Sequence, residues 1–398
     1  MPFNRRELLL GLAGTALGTA SSSAPIPEAR PLDLFEAKVG GHNLYRIPGI
    51  VVTKRGTVLA YAEARVHTGS DWDDIDILLR RSTDGGRTFS EPVGFPKIPG
   101  AERNPVANER KQGKPEWRTY NNPVAIPSRD GGVHFLFCVE YMRIFHCHSK
   151  DDGRTWTKPV EITACLEPLR KTFAWRVCAT GPGHGIELKN GRIVVPTWIA
   201  LGTAGNGHGP SVNTTIYSDD KGKTWHCGEI AISDTPEFAS ANETMLIENA
   251  DGSVTMNART PSPRNRRAIS HSPDGARNWS PAKFDETLVD PICAAGLVRI
   301  PRKKGPPLWA FSNPNSQTRA DGKEQASKDR RNVTVRISRD EGRTWSKGRV
   351  LEPGPSAYSD LAPLNDKTLL CLYEARNASG AAVIRLAHMD IDSLLVTN

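Results

Sequence analysis

Four acids crowd the stretch Asp71-Trp72-Asp73-Asp74-Ile75-Asp76, which superficially resembles a calcium-binding loop. A loop of that kind needs glycine at its sixth position for the sharp turn and glutamate at its twelfth for bidentate coordination. Asp76 and Ser82 stand there instead, so calcium is not expected. Asp76 is expected to cap or pair within the strand that follows. The seven cysteines (138, 147, 165, 178, 227, 293 and 371) are scattered and never spaced as CxxC, which argues against a structural zinc site. Most lie in apolar contexts such as Phe137-Cys138-Val139, where a buried free thiol is expected. The chain carries a formal charge of +8. Its densest basic clusters, Arg264 to Arg267 and Arg302 to Lys304, lack interleaved aromatics and read as solvated loops, so nucleic acid is not an expected partner.

The elements that must position any active side chains announce themselves as a repeat. Ser-x-Asp-x-Gly-x-x-aromatic occurs at Ser82-Asp84-Gly86-Phe89, Ser149-Asp151-Gly153-Trp156, Ser218-Asp220-Gly222-Trp225 and Ser338-Asp340-Gly342-Trp345. A fifth copy, Ser272-Asp274-Trp279, is imperfect because Gly275 comes one place early. Each reads as a tight turn: Asp accepts from local backbone N–H groups, Gly supplies a positive φ, and the aromatic folds back onto the hairpin. Apolar or alternating runs precede the copies, as in Val333-Thr334-Val335-Arg336-Ile337. Further strands are expected at Ile50 to Tyr61, His134 to Val139, Arg192 to Trp198, Val254 to Asn257 and Leu369 to Tyr373. No long segment has helical periodicity. Copies stand 67, 69, 54 and 66 residues apart, so residues 31–398 hold close to six units. Six four-stranded units closing into a ring make an all-β, six-bladed β-propeller, whose short edges are protected. These Asp-box turns are structural and sit at the blade periphery.

A second, non-repeating set of residues carries the functional signal. In order, it comprises Tyr45-Arg46-Ile47-Pro48, Ala64-Arg65, Asp71 with Ile75-Asp76, Gly181-Pro182-Gly183-His184, Asn242-Glu243 and Asn257-Ala258-Arg259. It closes with Arg330-Arg331-Asn332-Val333-Thr334, Tyr358-Ser359-Asp360-Leu361 and Leu372-Tyr373-Glu374. This ordered set resembles the sialidase (neuraminidase) family over practically the whole of residues 31–398.

The resemblance implies a retaining exo-α-sialidase acting on sialylated glycoconjugates, with no metal or organic cofactor. Arg46, Arg259 and Arg330 would surround the substrate carboxylate, with Arg331 as an alternative register for the third. The guanidinium fork suits that task because it bonds a carboxylate bidentately and stays charged. Tyr358 would be the nucleophile and Glu243 its base, with Glu248 as the alternative acid and a core tyrosine as the plainer reading of Tyr358. A neutral phenol avoids repulsion with the substrate's own carboxylate. Asp71 would be the general acid/base. Glu374 would orient the first arginine, and Arg65 would reach the region of the C4 hydroxyl. Trp198 would lie near the glycerol side chain or aglycone, with a core tryptophan as the alternative. Asn122-Pro123 replaces the Asp-Pro of many bacterial members, which puts in doubt how a 5-substituent is read.

Three other readings share these residues. One is a trans-sialidase, distinguishable by its products. Another is a glycosidase for a related nonulosonic acid, distinguishable by substrate panel. The third is an inactive sialic-acid-binding propeller, which would be expected to lack Asp71 or Tyr358.

The N-terminus reads as a leader. Asn4-Arg5-Arg6-Glu7 precedes an apolar run from Leu8 to Ala20 that is too short to span a bilayer, followed by Ser21 to Ala24 and Pro25. Residues 1–24 resemble a twin-arginine export signal, which implies a periplasmic or extracellular protein. No other segment has the length and apolarity of a membrane helix, so no stable membrane insertion is expected.

Overall fold

Each apolar run pairs with its sequence neighbour, because short polar turns leave an antiparallel hairpin as the nearest way to satisfy backbone groups. In the computed structural model, which describes residues 30–316 and 329–396, these hairpins build six sheets. Blade I holds Leu44–Val52, Val58–Arg65, Ile75–Ser82 and Val93–Gly94. Blade IV holds Thr244–Glu248, Val254–Ala258, Arg266–Ser272 and Lys283–Val289, and blade V holds Gly296–Ile300, Leu308–Pro314, Arg331–Ser338 and Arg349–Pro355. Blade VI takes strands from both ends of the described chain, in the order Leu32–Glu36, Ala382–Asp390, Thr368–Arg376 and Ser359–Pro363. The N-terminal strand thereby closes the ring, with Leu32 opposite Leu386.

Blades II and III depart from the expected four strands, each having five. Blade II is built on Tyr120–Pro127, Val133–Val139, Arg143–Ser149 and Val160–Glu161. Gly183–His184 returns from the next blade to pair with it in parallel, setting Gly183 against Val124. Blade III is built on Val177–Thr180, Ile193–Ala204, Gly209–Ser218 and His226–Cys227, with Ile186–Glu187 added to its long second strand. The expected single strand from Ile50 to Tyr61 is also two. Lys54-Arg55-Gly56 is a polar turn closed by Gly56 N–H donating to Thr53 O at 2.9 Å, and Gly56 has φ +84°, which a side chain would strain.

The core lies between blades. Val133–Val139 is buried at every position, because sheets cover both its faces. Ile50, Val58 and Ala60 of blade I meet Leu370, Leu372 and Leu386 of blade VI in one such layer.

The Asp-boxes join the third strand of a blade to its fourth. In blade I, Ser82 Oγ donates to Asp84 Oδ1 (2.7 Å) and accepts from Gly86 N (2.8 Å), while Thr88 donates N–H and O–H to the same carboxylate. The imperfect copy keeps the same Ser-to-Asp bond, with Gly275 N taking the place of the later glycine at 2.9 Å from Ser272 Oγ. Some box aromatics reach beyond their own hairpin. Trp156 packs against Phe95 of the blade I–II connection, and Trp225 of blade III packs against His146 of blade II.

Candidate active site

Antiparallel blades sort residues by face. The start of a first strand, the end of a second and the start of a third all lie at one end of the blade, and the Asp-boxes lie at the other. The charged non-repeating residues and Tyr358 occupy the first of these ends. Arg46 is near the start of a first strand, and Glu243 and Tyr358 immediately precede one. Arg65 ends a second strand, Arg259 follows one, and Glu374 is near the end of another. Arg330 immediately precedes a third strand.

At that end the side chains converge on Tyr358, which is 5% exposed. Its hydroxyl donates to the Glu243 carboxylate, 2.7 Å from both oxygens, and accepts from Arg259 Nη1 at 2.8 Å. Arg259 also pairs directly with Glu243 at 2.5 Å, and its Nε donates to Asn242 Oδ1 at 2.7 Å. The guanidinium carbons of Arg46 and Arg330 lie 4.8 and 5.0 Å from the Tyr358 ring centroid. Burial pushes the phenol well above its ordinary pKa. Arg259, Arg330 and Arg46 oppose that rise, and the Glu243 charge adds to it. The group is therefore a neutral phenol with a carboxylate in place to take its proton.

Glu374 grips Arg46 with both oxygens, accepting from Nε at 3.1 Å and Nη2 at 3.3 Å. The same carboxylate accepts from the backbone N–H of Ile47 and of Tyr358, so one acid sets the position of an arginine and of the tyrosine. Arg330 donates Nη2 to Ile292 O, a carbonyl in a turn where Ile292 has φ +54°. Beneath that turn Arg267 and Asp290, both fully buried, form an ion pair at 3.3 Å, and Asp290 also accepts from Cys293 N and Thr260 N. Arg331, the alternative register, bonds instead with Asp329 and Ser316. Glu248, the alternative acid, accepts from Lys189 N and does not join the cluster.

Asp71 stands on the loop that follows Arg65. Its Oδ1 is 2.9 Å from Arg65 Nη1 and 3.8 Å from Arg46 Nη1, which ties it to the arginine group. Burial alone would raise its pKa. Arg65, His208 and Arg46 more than offset this and hold the carboxyl well below the usual range. Arg65 is 1% exposed and divides its guanidinium between Asp71, Glu63 (2.8 Å) and Gly69 O (2.6 Å). The neighbouring acids do separate work. Asp73 accepts from the backbone N–H groups of His67, Thr68, Gly69 and Asp74 and so shapes the loop. Asp76 pairs with Lys97 and, at 3.3 Å, with His42.

Two predicted contacts are placed less directly. Asn122, 4% exposed with φ +52°, donates its amide to Thr180 O and accepts from Asn121. It communicates with the cluster through its backbone N–H, which donates to Glu63 at 2.9 Å. Trp198 is 3% exposed and its ring packs against His208 (5.4 Å) and Tyr141 (6.1 Å), two residues that lie beside Asp71. The sequence reading missed Glu63, Asp73, Asn206 and His208. Each acts through a loop or across blades, where local pattern carries no signal. Among the described residues no group of three His, Cys, Asp or Glu is arranged to hold a metal ion, and no helix is long and apolar enough to cross a membrane.

Six sheets in a ring, five of them with an Asp-box between their third and fourth strands, and one cluster of arginines, acids and a tyrosine at one end define an Asp-box β-propeller. Residues 101–371 match the BNR repeat-like domain model. The chain is 31% identical to a sialidase from Micromonospora viridifaciens, over 91% of this chain and 55% of that protein. It therefore spans little more than half the length of that relative. In fold it is similar to Hadza microbial sialidase Hz136, with a TM-score of 0.72, 24% identity, and coverage of 91% of this chain and 69% of the other. It is also similar in fold to the intramolecular trans-sialidase from Ruminococcus gnavus, with a TM-score of 0.71, 17% identity, and coverage of 95% and 100%. The chain belongs to the BNR repeat-like domain family, and the curated relatives it resembles are sialidases.

Proposed function

We propose that the protein is a retaining exo-α-sialidase that releases terminal sialic acid from glycoproteins, glycolipids and oligosaccharides. The observation that carries this reading is the buried Tyr358 hydroxyl, bonded to Glu243 inside a group of three arginines. Arg46, Arg259 and Arg330 hold the substrate carboxylate. Their charge makes the site specific for a sugar acid and lowers the cost of burying that anion. Tyr358 Oη attacks the anomeric carbon while its proton passes to Glu243, and Asp71 in its acid form protonates the departing glycosidic oxygen. In the second half Asp71, now a carboxylate, takes a proton from water. That water displaces Tyr358, which recovers its proton from Glu243.

A 2,3-difluorinated sialic acid tests the reading. Its C3 fluorine slows both halves while the C2 fluorine, leaving as fluoride, keeps the first accessible, so intact mass should rise by one 3-fluorosialyl residue, and peptide mapping should put the adduct on Tyr358. An unmodified Tyr358, or an adduct on a carboxylate, would overturn the assignment.

Transfer in place of hydrolysis is the second reading, since the fold is common to sialidases and to an intramolecular trans-sialidase. A product other than free sialic acid from a simple sialoside would establish it. We further propose that residues 1–24, which lie outside the described residues, direct export by the twin-arginine route. Loss of export on Arg5→Lys/Arg6→Lys is the expected outcome.

A further inference from the structure

Asp71 is held from two sides. Arg65 takes Oδ1 at 2.9 Å, and Asn206, from the turn between Ile193–Ala204 and Gly209–Ser218 of blade III, donates Nδ2 to Oδ2 at 3.1 Å. The same Asn206 accepts through its backbone carbonyl from Trp72 Nε1 at 2.6 Å, so two successive residues of the blade I loop are clasped by one residue of blade III. A third loop secures the clasp. Arg110, which caps the short helix Pro105–Glu109, donates Nε and Nη2 to Gly205 O and Nη1 to Thr203 O. The turn is also seated by close packing, since a Cβ on Gly207 (φ +97°) would lie 2.9 Å from Val106. On the other side Trp72 O accepts from Arg103, itself paired with buried Glu140 at 3.0 Å.

From this clasp we propose that Asn206 is a positioning residue for Asp71, orienting its carboxyl and favouring the carboxylate that must act as base in the second half-reaction. The inference rests on the sialidase reading. An amide N–H bonded to a carboxylate oxygen favours the ionised form and aims its other oxygen. The charged and titratable groups around Asp71 are Arg46 from the first strand of blade I, Glu63 and Arg65 from its second, Tyr141 from blade II and His208 from the blade III turn. Against that set Asn206 is a neutral donor. Its removal therefore changes the acid's titration without changing the formal charge of the site.

The test is the pH dependence of kcat on an alkyl sialoside, whose leaving group needs protonation, beside an aryl sialoside, whose leaving group does not. Asn206→Ala should move the alkaline limb for the alkyl substrate up by about one pH unit, the equivalent of one lost hydrogen bond. Asn206→Asp, which sets a second anion beside the first, should move it further in the same direction. The aryl limb should stay in place for both variants. Equal losses at every pH on both substrates would mark a merely structural turn and overturn the inference while leaving the sialidase reading intact. A wild-type protein that releases no sialic acid from either substrate would overturn both. Melting temperatures close to wild type establish that the variants fold, and either variant alone suffices for the comparison.

Discussion

Glu374 and Tyr358 are joined by a bond that leaves the phenol free: the Tyr358 backbone N–H donates to Glu374 Oε2, while the phenol points away to Glu243. Glu374 also holds Arg46 with two bonds. The geometry between the Arg46 guanidinium and the Tyr358 phenol is thus set by one carboxylate from the second strand of blade VI.

Removing that carboxylate should loosen both. Glu374→Ala is expected to raise KM about tenfold or more, because Arg46 loses its orientation, and to lower kcat through the displaced tyrosine. Glu374→Gln, which keeps one acceptor oxygen but loses the other and the charge, should fall between. A kcat/KM within twofold of wild type for the Ala variant would contradict the argument.

Tyr358→Phe removes one oxygen and leaves the packing of the ring. Turnover should fall by about a thousandfold or more while the melting temperature stays near wild type. Glu243→Gln retains a hydrogen-bond acceptor but not the base, and a loss of about a hundredfold or more is expected. Initial rates with a fluorogenic sialoside check both.

The pH behaviour of Asp71 follows from its neighbours. Arg65, His208 and Arg46 depress its pKa in the free protein. A bound carboxylate neutralises part of that positive field, so the pKa rises on binding and a proton is taken up. Affinity for an anionic ligand should therefore strengthen as the pH falls toward the carboxylate range, and calorimetry in buffers of different ionisation enthalpy near pH 5 should show net proton uptake. Release of protons would overturn this. In the free protein the sign is opposite: a folded pKa below the unfolded value of about 3.9 stabilises the fold above that pH, and the contribution is lost as the pH falls through the folded value.

The Arg267–Asp290 pair gives a stability prediction remote from substrate. Arg267→Met leaves Asp290 buried without its cation, a loss of about 3–5 kcal/mol. It also releases the turn whose Ile292 carbonyl accepts from Arg330. Arg267→Met/Asp290→Leu should recover much of the stability. Chemical denaturation of both variants distinguishes the buried charge from the lost packing.

How far the sequence speaks depends on what a feature depends on. The Asp-boxes are legible because Ser82, Asp84 and Gly86 satisfy one another within a few residues. Arg46, Arg259, Arg330, Tyr358, Glu243 and Asp71 are legible because each sits in a recognisable fragment. Their convergence is a property of antiparallel blades rather than of any fragment. Gly183–His184 crossing to Tyr120–Pro127 could not be read, since a two-residue parallel pair has no periodicity. Nor could the Asn206 clasp, because its partner lies 135 positions away and the turn around it reads only as glycine-rich.

The pairing of Leu32–Glu36 with Ala382–Asp390 has a consequence for biosynthesis. Blade VI cannot form until Thr368–Arg376 and Ala382–Asp390 have both been made, about 330 residues after the strand that closes them. Tyr358 and Glu374 ride on that blade, so their meeting with Arg46 of blade I awaits the same event. The cluster is therefore complete only once blades I and VI have met, so any turnover it supports would report ring closure.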